Sequence, residues 1–155
     1  MDISLRTHPR TQDLGYSRTW DTGRCSSADA RDAVAALLAA AHPAPLRRSV
    51  QDAQLVVSEL VTNAEKHAPG PCALSLELRP GGHALRICVT DTSTSPPHPR
   101  PPDPGRVGGH GLHLVTMLSR DLEVTMLPEG KRVTATVPLV TEGGGPRDGG
   151  PRGEG

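Results

Sequence analysis

The apolar residues change period at Pro69-Gly70, and that change constrains the fold more than any other feature of the chain. Before it, they recur at helical spacing. Val34, Leu37, Leu38 and Ala41 form one stripe. Ala53, Val56, Val57, Leu60, Val61 and Ala64 form a second. Ser26, with Asp29 three residues on, reads as a capping box opening the first helix, and Pro43 and Pro45 close it. Ser49 with Asp52 reads the same way for the second helix. After Pro69-Gly70 the spacing becomes two. Leu74, Leu76 and Leu78 alternate with polar residues, Pro80-Gly81-Gly82 marks a turn, and Leu85, Ile87 and Val89 alternate again. A short helix is predicted over Leu112 to Leu118. Alternating strands then follow, through Leu122, Val124 and Met126 and through Val133, Ala135, Val137 and Leu139. This order predicts an α+β two-layer sandwich, with a mixed, mainly antiparallel sheet carrying its helices on one face.

Composition narrows the reading further. Aromatics make up 1% of the 155 residues, so the core must be built from Leu, Val, Ile and Ala. Residues 1–20 show no period and are expected to be a flexible arm, with a domain over 21–140 and a disordered Gly/Pro-rich tail over 141–155. The Pro-rich stretch 95–109 lies between strong patterns and reads as a long mobile loop. Formal net charge is zero, with no basic stripe of the kind that tracks nucleic acid. Cys25, Cys72 and Cys88 are odd in number and lack C-x-x-C spacing, which suggests neither a disulfide framework nor a zinc site. No apolar run is long enough to span a membrane, and the expected location is cytoplasmic.

Three features carry chemistry. Glu59, Asn63, Lys66 and His67 fall at i, i+4, i+7 and i+8, on one helix face bordering the apolar stripe. Asp91 shares the parity of Leu85, Ile87 and Val89, so it points to the helix-bearing face at a strand end. There it could start an Asx turn or accept a hydrogen bond from an exocyclic amine such as that of adenine. Gly108-Gly109-His110-Gly111-Leu112 leads into a helix, where open backbone amides suit an anion such as a polyphosphate.

Taken in order, these segments resemble the motifs of the GHKL (histidine-kinase-like) ATPases. Glu59-Leu60-Val61-Thr62-Asn63-Ala64-Glu65-Lys66-His67-Ala68 is similar to the N box, Ile87 to Asp91 to the strand entering the G1 box, and Gly109 to Val115 to the G2 box. Gly130 to Ala135 resembles the closing hairpin. The resemblance implies the Bergerat ATP-binding fold, with ATP and Mg2+ as cofactors. It implies that Glu59 is catalytic, orienting or deprotonating the attacking hydroxyl, and that Asn63 is the metal ligand. Lys66 and His67 would lie near the phosphates and Asp91 would bind adenine, with Ser93 beside the base. Gly109, Gly111 and Leu112 would belong to the lid over the triphosphate. The chain departs from the family at Ser93 and Ser95, which stand where the G1 box has glycines. Counting back from Pro138, the place on the last strand that supports adenine falls on Arg132.

Within that family, about two dozen residues before the first helix leave no room for a phospho-accepting hairpin, and only a Gly-rich tail follows. The chain resembles most the stand-alone anti-sigma-factor serine/threonine kinases. Such a protein phosphorylates an antagonist and sequesters a sigma factor. Dimerisation is typical of the class, as is an arginine on the first helix, here Arg31. The alternative is a non-catalytic, nucleotide-responsive module that binds a protein partner.

Overall fold

The computed structural model describes residues 6–8, 13–21, 25–67, 70–93 and 111–141. Three helices lie on an antiparallel sheet. The strands are β1 (Arg6–His8), β2 (Asp13–Trp20), β3 (Cys72–Leu78), β4 (Ala84–Asp91), β5 (Asp121–Leu127) and β6 (Gly130–Pro138). They pair in the order β1-β2-β3-β4-β6-β5, every described pair antiparallel. The helices are α1 (Ser27–Ala39), α2 (Arg47–His67) and α3 (Gly111–Leu118). This is the expected α+β two-layer arrangement.

α1 begins where its capping box predicts. The Ser26 side chain accepts a hydrogen bond from Asp29 N at 3.1 Å, and the stripe Ala30, Ala33, Val34, Leu37, Leu38 is buried. α2 begins two residues before the predicted cap, at Arg47. Ser49 is buried inside the helix, and its Oγ accepts from Val140 N at 2.9 Å, tying the exit of β6 to α2. A hydroxyl that could have capped a helix is used for a tertiary bond instead. Between β3 and β4 the chain turns through Gly81 and Gly82, at φ 86° and 74°, a region open to glycine.

The expected loose arm is corrected over residues 13–20. These form β2, paired with β3 from Gly15↔Glu77 to Trp20↔Cys72. Leu14, Tyr16 and Trp20 enter the core, so the only two aromatic residues of the chain are both buried. β2 has a strand's alternation, but Arg18 interrupts it. That side chain faces the helix layer and is held by Asp29 of α1 at 3.2 Å and by the Trp20 ring at 5.1 Å. The cysteine expectation is also corrected. Cys25, just before α1, and Cys72, at the start of β3, form a disulfide with Cα atoms 6.4 Å apart. Cys88 is a free thiol. The two bonded residues lie 47 apart in sequence, and no local spacing announces the pair.

The inner face of the sheet is aliphatic. Leu74, Leu76, Leu85, Ile87, Val89, Ala135 and Val137 are all buried there, on strands that pack against α2. Its outer face carries Thr90, Arg132 and Thr134. α2 packs on β3, β4, β6 and both other helices, so it is the central element of the helix layer. No described helix is long and apolar enough to cross a membrane.

Candidate functional site

α2 places its polar face along the border of the buried stripe. Leu60, Val61 and Ala64 are buried, while Glu59 and Asn63, one turn apart, are half-exposed. Among the described residues neither of these two side chains carries an ion pair or hydrogen bond. Lys66 is exposed on the last turn, and His67 ends the helix. Arg31 of α1 reaches across to α2 and donates from Nη1 to Ser58 Oγ at 2.9 Å, while Gln54 Nε2 donates to the Arg31 carbonyl at 3.2 Å. The candidate arginine therefore fastens α1 to the turn of α2 that carries Glu59.

Beneath α2, Asp91 is the last residue of β4 and points inward, as its parity predicts. Its Oδ1 accepts from Ser93 N at 2.8 Å, which is the Asx turn weighed as one of its two roles. Ser93 is itself buried. The remaining partner was not foreseen. Lys131 Nζ donates to Asp91 Oδ2 at 2.9 Å and to Oδ1 at 3.2 Å, and the two side chains are only 1% and 2% exposed.

This corrects the count that put Arg132 at the adenine-supporting place. β4 and β6 register Asp91 on Lys131 and Thr90 on Arg132. Arg132 therefore faces the outer side of the sheet, in an open groove of about 480 Å³ with Thr90 and Thr134. A one-residue slip along a strand exchanges its faces. The signal for Lys131 was present, since it lies two residues before Val133 on the buried side of β6.

Gly130, the first residue of β6, fits Lys131 to this place. A Cβ there would overlap the Asp91 carbonyl oxygen and come within 3.0 Å of Thr92 Cα. Only a glycine lets β6 start this close to the end of β4. A cleft of about 620 Å³ opens at that same end of the sheet, lined by Cys72, Asp91, Thr92 and the Pro128–Gly130 turn. Among the described residues, its lining includes none from α2.

Gly111 and Leu112 open α3, which packs beside α2. Gly109 lies outside the described residues, as does the stretch 94–110 as a whole. The structure thus puts Glu59, Asn63, Lys66, His67, Gly111 and Leu112 on two adjacent helices and Asp91 and Ser93 at the strand end below.

The profile of the histidine kinase-like ATPase domain matches residues 24–137, well over half of the chain. No curated protein matches. Among solved structures, the histidine kinase domain of a blue-light activated histidine kinase from Erythrobacter litoralis is 30% identical. It covers 59% of this chain and 45% of that one, with a TM-score of 0.42. The structure of the RsbU and RsbW domains of a Mycobacterium tuberculosis protein is 17% identical. It covers 81% of this chain and 38% of that one, with a TM-score of 0.53, a likeness of fold. The chain thus spans less than half the length of either.

Proposed function

Because the chain belongs to the histidine kinase-like ATPase family, we propose that it binds ATP with Mg2+ and acts as a serine/threonine kinase on an anti-sigma-factor antagonist, sequestering a sigma factor in turn. The observation that carries this reading is the pair on α2. Glu59 and Asn63 sit one turn apart, half-exposed at the border of the core, with no described side-chain partner. Polar side chains held there by a packed helix, and not consumed by the fold, suit a ligand.

The donor set fits Mg2+. This cation keeps several waters and takes phosphate oxygens, so a single protein oxygen such as Asn63 Oδ1 suffices. The described residues contain no group of three His, Cys, Asp or Glu side chains that could cage a metal. Bound MgATP would supply the transferable phosphoryl group and the cation that neutralises its charge. Glu59 Oε, four residues before Asn63, would accept the proton of the attacking serine hydroxyl. Lys66, exposed one turn on, would add positive charge toward the phosphates. Gly111 and Leu112 would present backbone amides at the start of α3. Asp91 is the base-reading carboxylate in this reading.

A second reading, a nucleotide-responsive module without catalysis, is favoured by the Lys131–Asp91 pair, which engages that same carboxylate. Glu59→Ala separates the two. Loss of phosphoryl transfer by about a hundredfold or more with MgATP binding retained supports the kinase. Unchanged behaviour in every assay supports the module. Asn63→Ala should abolish the Mg2+ dependence of nucleotide binding. If the unaltered protein binds no ATP at millimolar concentration, both readings fail.

A further inference from the structure

The carboxylate that should read the base is already hydrogen-bonded from within the chain. Asp91 Oδ2 accepts from Lys131 at 2.9 Å, and Oδ1 accepts from Lys131 at 3.2 Å and from Ser93 N at 2.8 Å. The ammonium does not arrive by a chance rotamer. The β4–β6 register sets Lys131 opposite Asp91, Gly130 brings the two strand ends into contact, and the pair is sealed at 1% and 2% exposure.

A purine's 6-amino group is a neutral donor. A hydrogen bond from an ammonium to a carboxylate is charge-assisted and roughly twice as strong as a neutral one. The amine therefore competes at a disadvantage for the oxygens that Lys131 holds. In the nucleotide-binding reading, Mg2+ and the triphosphate would be held by other residues and would not be subject to this competition.

We propose that Lys131 is the specificity-determining residue of the base subsite. Its ammonium stands in for the exocyclic amine on Asp91, so the protein binds purine nucleoside triphosphates without reading the 6-amino group. The inference rests on the nucleotide-binding reading above and adds the regulation of base selectivity at that site. Replacing Lys131 by a neutral side chain of similar length opens Asp91 to the amine and turns an indifferent site into one selective for adenine.

The test is calorimetric titration of the full chain, with Mg2+, using ATP, purine riboside 5'-triphosphate (which lacks the 6-amino group) and GTP. In the unaltered protein ATP and the des-amino analogue should bind within about threefold of each other, because Lys131 and Ser93 N already engage both Asp91 oxygens. In Lys131→Met, ATP should bind about tenfold more tightly than the analogue. The unaltered protein decides the question even where the variant fails to fold. A preference for ATP over the analogue of about tenfold or more there means that Asp91 reads the amine despite Lys131, and overturns the proposal. So does a folded Lys131→Met protein that still binds the two alike. GTP bound about tenfold more tightly than ATP would mean that the ion pair reads a 6-oxo group as a unit, which also overturns masking. Absence of binding by all three nucleotides refutes the nucleotide reading itself, and this inference falls with it.

Discussion

Replacing Lys131 by Met severs one ion pair, and its effect on stability can be worked from the geometry. At 2.9 Å the Coulomb attraction between the two groups is about 6 kcal/mol for an effective dielectric constant near 20. Most of this attraction is offset by the desolvation of two groups that are nearly inaccessible. The intact pair therefore contributes little net stability, whereas either half alone is a buried, uncompensated charge. Lys131→Met and Asp91→Asn should each destabilise the protein by about 3–5 kcal/mol. The double variant has no charge to strand and should recover most of that loss, so the coupling in the cycle should exceed the cost of either single variant. For a chain of this size each single variant should melt about 10 °C lower. Urea unfolding followed by the fluorescence of Trp20, the single tryptophan and a buried one, provides the assay. Single variants that each cost less than about 1 kcal/mol, or costs that simply add, would refute the claim that the two side chains are sealed together.

Two further outcomes follow from features of the fold. A disulfide closing a 47-residue separation removes loop entropy from the unfolded chain worth about 4 kcal/mol, so dithiothreitol should lower the urea midpoint of the unaltered protein and leave a Cys25→Ser/Cys72→Ser variant unaffected. An unchanged midpoint under reducing conditions would mean that the two thiols are unbonded in solution. Gly130→Ala puts a methyl group onto the Asp91 carbonyl oxygen, and it should destabilise by more than about 1–3 kcal/mol, the usual range for overpacking; an Ala variant as stable as the parent in urea would show that β4 and β6 are further apart than described.

Much of the architecture is legible in the sequence, because α1, α2 and the strands from β3 onward each carry one uninterrupted period. Ser26 and Asp29 mark the start of α1, and the structure keeps that cap. Where the reading departs from the structure, a polar residue occupies a position whose purpose is tertiary. Arg18 breaks the alternation of Leu14, Tyr16 and Trp20 because its partner is Asp29 on a helix, which no local pattern displays. Ser49 resembles a cap because hydroxyls that cap helices and hydroxyls that bond a distant backbone amide are the same residue. The candidate site divides in the same manner. Spacing alone aligns Glu59 with Asn63 and turns Asp91 inward. Lys131 could have been found by extending the alternation Val133, Ala135, Val137 one step back. Counting from Pro138 instead led to Arg132 and to the wrong face of the sheet. The Cys25–Cys72 bond was not legible, since a pairing across 47 residues depends on where the fold puts β3.

The pairing of β2 has a consequence for how the chain is made. β2 lies early in the sequence, yet most of its length pairs with β3, which lies beyond both α1 and α2. At a synthesis rate of about 5–20 residues per second, β3 follows β2 from the ribosome by several seconds. During that interval Leu14, Tyr16 and Trp20 lack their β3 neighbours, and the edge of β2 that will pair with β3 is open, β1 covering only Asp13–Gly15 on the other edge. Contacts that span a long stretch of chain also form slowly once the chain is free. β2, which precedes every described helix, is thus consolidated after α1 and α2 have emerged, and the nascent chain is most open to holdase chaperones, and to aggregation, in the window before Cys72–Leu78 arrives.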